Sequence, residues 1–143
     1  MNNDMSMQIA RVKATAHPLR LRVLALLKSE RLCVCEVAEV LQVPISSASE
    51  ALRDLRRVGV LSEQKSGRWV FITLCQPPSP LIQGLLLEAQ AIPEILQDQI
   101  RIAEMRDIGA LSYCEQREAQ LRFTNTSEHY PKSHNRRPVK TIF

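Results

Sequence analysis

Four cysteines are the residues of this sequence best suited to chemistry. Cys33 and Cys35 are separated by one residue, while Cys75 and Cys114 lie further along the chain. Thiolates are soft ligands that suit Zn(II), Cd(II) and Pb(II), and the same softness suits As(III) and Sb(III). No glycine-rich phosphate loop and no CxxC pair occurs, and no histidine lies near a cysteine in the sequence. The close pair therefore predicts a binding site for a soft ion and not a catalytic centre.

The spacing of the pair constrains its backbone. On a regular helix, residues i and i+2 point about 200° apart, so two such thiolates cannot face one small ion. If Cys33 and Cys35 both bind, the chain between them must be extended or unwound. The alternative interpretation is that both are small buried hydrophobic residues. The apolar residues around the pair make burial a good explanation for one of the two cysteines, but a weaker explanation for both.

Composition predicts a single soluble domain. The chain has 143 residues, of which 45% are hydrophobic and 24% charged, with a net charge of +4. Residues 1–75 carry 11 Lys and Arg against 7 Asp and Glu, a weak indication of a nucleic-acid partner. No apolar run is long enough for a membrane span, and the first residues lack the apolar core of a signal peptide. We therefore expect a cytoplasmic protein with no membrane partner, in which the cysteines do not form structural disulfides.

Patterning predicts a mainly α fold with a small β-hairpin. Helices are expected at 8–16, 18–28, 36–42 and from Pro44 to a C-terminal glycine at Gly59, and a very short strand at 32–34. A hairpin turning at Ser66-Gly67 follows, then a proline-rich linker and strongly apolar helices over 81–107. We divide the chain into residues 1–108 and a C-terminal extension, 109–143. The extension combines a helix near 111–122 with a basic, disordered tail that either adds DNA affinity or is a solvated end.

The two short helices joined at residues 42–44 and followed by a hairpin predict a winged helix-turn-helix. In this fold the second helix enters the DNA major groove, and the hairpin contacts phosphate or the minor groove. A solvated polar surface is the alternative. The expected DNA-binding residues are Ser46, Ser47, Ser49, Glu50 and Arg53 on the helix, and Lys65 and Arg68 beside the hairpin tip.

Residues 14–74 resemble the ArsR/SmtB family of prokaryotic metal-sensing repressors, the arsenic-sensing branch most of all. HPLRL at 17–21 is similar to the family's DPTRL helix opening, and LCVCEV at 32–37 to its LCVCDL metal motif. Ser49, Leu52 and Leu55 resemble its SxHLxxL recognition helix, and GRWV at 67–70 its wing. The resemblance implies a homodimer that binds double-stranded operator DNA and leaves it when a metal or metalloid binds. The helices over 81–105 would supply much of the dimer contact.

The sequence departs from that family pattern at several positions. The third cysteine of the arsenic motif is Ala38, and residues 1–32 contain no cysteine, as the cadmium and lead branch would require. Cys75, Cys114, a non-thiol group or an exogenous ligand must then complete the site. Residues 79–107 lack the histidines of the zinc and nickel sensors. Glu50 and Ala51 replace usual recognition-helix residues, which predicts a different operator sequence. As(III) or Sb(III) is the expected inducer, with Cd(II), Pb(II) and Zn(II) as alternatives.

Two other functions are weighed against this one. The first is a winged-helix repressor that senses thiol oxidation or persulfides. Because a disulfide within the CxC pair would be strained, such a sensor is expected to join Cys33 or Cys35 to Cys75 or Cys114. The second is a small thiol-dependent reductase or arsenic-detoxifying enzyme, which the missing motifs argue against. We expect no enzymatic activity.

Overall fold

The structure is a computed structural model that describes residues 4–28 and 30–107. Its elements in chain order are α1 (Met5–Thr15), α2 (Pro18–Leu27), α3 (Val34–Leu41), α4 (Ile45–Arg57), β1 (Leu61–Ser66), β2 (Trp69–Leu74), α5 (Pro80–Ala89) and α6 (Pro93–Asp107). The expected mainly helical class with one hairpin is confirmed. The helix expected near 111–122 and the basic tail lie outside the described residues.

Helix α2 begins where the sequence predicts. His17 has an extended backbone and its Nδ1 accepts the Leu19 N–H at 3.2 Å, while Pro18 occupies the first helical turn. A proline is favoured there because that position has no intrahelical partner for an N–H. His17 is thus a helix cap, as expected of a residue at the helix start.

Helix α3 begins two residues earlier than predicted. Cys33 is the extended residue before the helix, and the Glu36 carboxylate accepts its backbone N–H at 3.1 Å. This contact satisfies one of the orphan donors at the helix N-terminus. As a result Cys35 lies inside the first turn of α3, whereas the sequence pattern predicts it ahead of the helix.

The turn between α3 and α4 is tight. Gln42 ends α3 in the left-handed conformation at φ 55°, and α4 starts directly after Pro44. Gly59 has a φ of 75° just beyond the end of α4, which confirms it as the terminating residue. The pair α3 and α4 forms the helix-turn-helix, with α4 as the second helix.

The hairpin that follows is the wing. β1 pairs antiparallel with β2, and Gly67, with a φ of 60°, lies in the connecting turn. The strand expected at 32–34 is reduced to one bridge, in which Leu32 exchanges both backbone hydrogen bonds with Ile72 of β2 at 3.0 and 2.7 Å. The segment just before α3 is therefore attached to the wing.

A core of aliphatic side chains holds the helices and the wing together. Leu24, Leu27, Leu32, Leu52, Leu55 and Ile72 are all at most 1% exposed. They come from α2, α4, β2 and the segment before α3, so burial fixes the second helix against the rest of the fold. No helix within 4–28 and 30–107 is long and apolar enough to cross a membrane.

Candidate nucleic-acid interface and thiol site

One face of α4 carries exposed polar side chains. Ser46, Glu50, Arg53 and Arg57 are exposed and lie at helical spacings of four and three, which aligns them along the helix. Ser47 is half-buried beside them. The opposite face is buried in the core, so this polar face is the one α4 presents outward.

Ser49 differs from the expectation. The sequence pattern predicts Ser49 on the polar face with its neighbours, but Ser49 is only 1% exposed. Ser49 precedes Leu52 by three residues, and that spacing puts both on the same, inward side of α4. The structure therefore gives Ser49 a place in the interior and not on a DNA-facing surface.

Ion pairs fix two of the other α4 arginines. Arg56 forms an ion pair with Glu63 of β1, which ties the second helix to the wing. Arg57 lies 3.9 Å from Asp54 one turn earlier, and Asp54 is also 3.6 Å from Arg20 of α2. The contact between Arg56 and Glu63 is one of the links between the wing and α4.

The wing tip carries two exposed cations. Lys65 and Arg68 flank the turn at Gly67, as predicted. The Arg68 guanidinium lies 5.5 Å from the centre of the Trp69 ring, within the range of a cation–π contact. Sequence reasoning missed a similar contact, in which Arg31 lies 4.6 Å from the centre of the Phe71 ring. The pairing of Leu32 with Ile72 brings the neighbouring Arg31 and Phe71 close to each other.

The cysteine pair lies at the N-terminal end of α3. Cys33 is 3% exposed and extended, with φ −84° and ψ 164°, while Cys35 is half-buried in the first helical turn. The pair thus straddles a junction between extended and helical backbone. Two thiolates one residue apart can face one ion only if the backbone between them is not helical. The backbone is extended at Cys33 but already helical at Cys35, so the structure meets this condition in part.

The oxidation states of the cysteines differ. Cys33 takes part in a disulfide, whereas Cys35 and Cys75 are thiols outside any disulfide. The expectation that the chain lacks structural disulfides does not hold at Cys33. Cys114, the fourth cysteine of the sequence, lies outside the described residues.

Cys75 is not close to the pair in register. Leu32 is opposite Ile72 in an antiparallel pairing, so the chain runs from Leu32 to Cys33 in the direction opposite to that from Ile72 to Cys75. Four residue positions of about 3.3 Å then separate the two cysteines along the strand, roughly 13 Å. Within 4–28 and 30–107, no three His, Cys, Asp or Glu side chains are grouped to hold a metal.

Glu36 is a buried carboxylate beside the cysteine pair that sequence reasoning did not single out. It is 0% exposed, and its Oε1 and Oε2 accept the Cys33 N–H at 3.1 Å and Arg106 Nη1 at 3.0 Å. Burial raises the pKa of Glu36 above its usual value, while the Cys33 N–H and Arg106 act in the opposite direction. A glutamate three residues after a helix-capping position was the available signal.

A second buried acid lies at the other end of α3. Asp98 of α6 is 1% exposed and accepts two hydrogen bonds from Arg22, both at 2.8 Å. This hydrogen-bonded pair raises the pKa of Arg22 above its usual value. Arg22 and Arg101 also donate to the carbonyl oxygens of Leu41 and Val40, the last residues of α3. Both ends of α3 are therefore held by side chains that contact α6.

Comparison with known proteins identifies the same architecture. Residues 17–63 match the model of the bacterial regulatory protein arsR family. The arsenic resistance transcriptional regulator ArsR1 of Pseudomonas putida is 34% identical over 97 residues, which cover 65% of this chain and 75% of ArsR1. A transcriptional repressor SmtB homolog of Synechocystis is 36% identical over 75 residues, 52% of this chain and 57% of that protein.

A solved structure supports the fold independently. Reduced HlyU from Vibrio cholerae superposes with a TM-score of 0.53 at 27% identity, covering 62% of this chain and 90% of HlyU. The ArsR1 match extends over three quarters of that relative. The chain therefore belongs to the ArsR/SmtB family of bacterial transcriptional regulators, DNA-binding proteins built on a winged helix-turn-helix and not enzymes.

Proposed function

We propose that this chain represses a metal or metalloid resistance gene and leaves its operator when As(III) or Sb(III) binds the thiolates of Cys33 and Cys35. The observation that carries the proposal is the position of the pair, at the start of the helix that packs directly against α4. A change of backbone at Cys33 and Cys35 therefore acts on the support of the second helix. The similarity to ArsR1, a relative named for arsenic resistance, supports the choice of As(III) as the inducer.

The DNA contacts are proposed to come from two elements. Ser46, Ser47, Glu50 and Arg53 of α4 face the major groove, where serine and glutamate oxygens can accept from base amino groups and arginine can reach guanine. Lys65 and Arg68 at the wing tip neutralise phosphate. Ser49 was expected to join this set, and its burial assigns it to the support of α4.

The ligand shell requires more than the pair. Both cysteines bind only as thiolates, so the Cys33 disulfide has to be reduced first. A third ligand comes from Cys114, from Cys75 of a second protomer, or from an exogenous thiol. Cd(II), Pb(II) or Zn(II) would need such a fuller shell, because these ions take more ligands than two thiolates supply.

Fluorescence anisotropy of the reduced protein on its own upstream DNA tests this proposal. We expect near-stoichiometric As(III) to release wild-type protein. Cys33→Ser and Cys35→Ser should bind DNA normally and fail to release it. Cys75→Ser tests the third ligand: it should fail to release DNA if Cys75 of a second protomer binds, and it should behave as wild type if Cys114 or an exogenous thiol completes the shell. Normal release by both pair variants would place the sensor elsewhere.

A redox-sensing repressor is the second candidate, and the disulfide at Cys33 favours it. In this version the sulfurs of Cys33 and Cys114 form one S–S bond, with loss of two protons and two electrons to an oxidant such as diamide. The oxidised protein leaves its operator. HlyU, which matches the fold, has been solved in a form described as reduced.

Mass spectrometry without reductant separates the two candidates. Diamide should lower the mass by two hydrogens and abolish DNA binding in wild type and in Cys75→Ser, and should do neither in Cys114→Ser. If diamide leaves DNA binding intact while As(III) abolishes it, the redox version is rejected.

The regulator is proposed to act as a homodimer in a prokaryotic cytoplasm, where its operator DNA lies.

A further inference from the structure

We propose that Glu36 and Arg106 are positioning residues that transmit chemistry at Cys33 to helix α6. This inference rests on the proposed function, because it assumes that Cys33 is where the signal enters. It adds the route by which the signal leaves the thiol site.

Glu36 contacts both the cysteine pair and helix α6. One oxygen of its carboxylate accepts the backbone N–H of Cys33 at 3.1 Å, and the other accepts Arg106 of α6 at 3.0 Å. The carboxylate is 0% exposed, so water cannot replace a missing partner. A buried charge deprived of one partner is strongly destabilised, and its remaining contacts must rearrange. The two contacts of Glu36 therefore depend on each other.

Arg106 contacts the chain on both sides of the cysteine pair. Its Nε donates to Glu30 at 2.8 Å while its Nη1 donates to Glu36. The segment 30–36 contains both cysteines, and the carboxylates at its two ends both bind the guanidinium of Arg106. A charge-assisted pair of this kind is among the stronger hydrogen-bonded contacts in proteins.

Ligand binding at Cys33 disturbs this arrangement directly. The cysteine is only 3% exposed, so an ion from solvent reaches its sulfur only if the backbone at the start of α3 moves. The hydrogen bond from Cys33 to Glu36 exists only while the first turn of α3 is formed. Chelation by Cys33 and Cys35 that unwinds this turn removes that donor from Glu36.

A movement of helix α6 would reach the surface that we assign to the second protomer. Leu96 and Ile100 on this helix are 50% and 52% exposed, and we assign them to contact with a second protomer. The other end of α3 stays attached to α6 through Asp98, Arg22 and Arg101. Release of Arg106 alone would therefore let α3 and α6 pivot about that fixed end.

The test compares two arginines of α6 in full-length protein. Arg106→Gln removes the ion pairs with Glu30 and Glu36. Arg101→Gln removes a cation that contacts the C-terminal end of α3. DNA affinity of the reduced proteins is measured by anisotropy with and without As(III). Bound As(III) is quantified by its thiolate absorbance. The ratio of the two DNA affinities measures coupling, which a purely structural role does not change.

We expect Arg106→Gln to bind As(III) like wild type but to lower the coupling ratio at least about fivefold, within the usual range of allosteric coupling. Arg101→Gln should keep the ratio within about twofold while lowering the melting temperature. Glu36→Gln, which keeps an acceptor for the Cys33 N–H, should resemble Arg106→Gln. An unchanged ratio in both Arg106→Gln and Glu36→Gln would overturn the inference.

Hydrogen exchange of the reduced, inducer-free proteins provides a readout that needs no inducer. Arg106→Gln should speed exchange of the Cys33 and Val37 amides, which donate to Glu36 and to the Cys33 carbonyl oxygen, whereas Arg101→Gln should not. If As(III) does not release wild-type protein from DNA, the proposed function fails and this exchange result alone decides the inference. Unchanged protection of those amides in Arg106→Gln would then reject it.

Discussion

Arg53 is the residue on which we expect α4 to depend most for attraction to DNA. It is exposed on the outward face, whereas Arg56 is paired with Glu63 of the wing. Arg53→Gln should weaken operator binding about tenfold and lower the ratio of operator affinity to nonspecific DNA affinity, the changes expected when an arginine that reaches guanine is removed. Lys13→Gln on α1 removes the same charge from an exposed position and should alter neither value. Equal reductions in the two variants would indicate a general charge effect.

Ser49 leads to the opposite prediction. Because it is 1% exposed, Ser49→Ala should leave the operator affinity of the folded protein within about twofold. A buried hydroxyl contributes about 1 kcal/mol through its hydrogen bonds, so the free energy of unfolding should fall by that amount. Anisotropy and urea denaturation measure the two effects, with the exposed Ser46→Ala as the comparison. A tenfold loss of affinity at unchanged stability would place Ser49 at the DNA after all.

Residue types predict the thiol site better than they predict its surroundings. The spacing of Cys33 and Cys35 is visible in the sequence, and the structure places both at one junction. The burial of Ser49 is harder to predict because serine is usually exposed, and only its helical phase relative to Leu52 points inward. Glu36 escapes prediction because its partner Arg106 is 70 residues away, and no local pattern encodes that contact.

Among the elements, the glycines of α4 and α5 lead to contrasting predictions. Gly59 ends α4 with a φ of 75°, where an L side chain is strained, although a Cβ would meet only Arg11, at 3.9 Å. Gly59→Ala should therefore destabilise the fold by about 1 kcal/mol. Gly84 lies within α5 with nothing near its Cβ position, so Gly84→Ala should stabilise by about 0.5–1 kcal/mol.

Urea denaturation of both glycine variants tests these values, with wild type as the reference. The same chemical change is made in each, so an effect of the added methyl group as such would have one sign. Destabilisation by both would mean that the Gly84 position is not open. Stabilisation by both would mean that Gly59 does not need its left-handed backbone.

The order of the elements is predictable because each carries a local signal. Proline at the start of α2, glycine after α4 and glycine in the wing turn all have a fixed conformational preference. The predicted start of α3 is two residues late because cysteine is an uncommon cap and its capping glutamate also fits the helix interior. The attachment of α3 to α6 depends on long-range ion pairs, which periodicity does not reveal.

At the scale of the whole molecule, exposed apolar side chains indicate a second protomer. Met5, Ile9 and Val12 of α1 are 75%, 47% and 49% exposed, and Leu96 and Ile100 of α6 are similarly open. Large apolar residues clustered on two helices are typical of an interaction surface. Two α4 helices in one dimer would read two operator half-sites about one helical turn apart.

Ile100→Glu tests this assembly. It places a charge on a side chain that is 52% exposed in one protomer, so the monomer should fold with an unchanged melting temperature. In a dimer the same carboxylate would be buried without a partner, which is strongly unfavourable. Sedimentation velocity should show a monomer at micromolar concentration, and operator affinity should fall more than tenfold because only one α4 then engages DNA. Ala91→Glu adds the same charge to an exposed residue between α5 and α6 and should remain dimeric. A dimeric Ile100→Glu protein with wild-type affinity would move the interface to another surface.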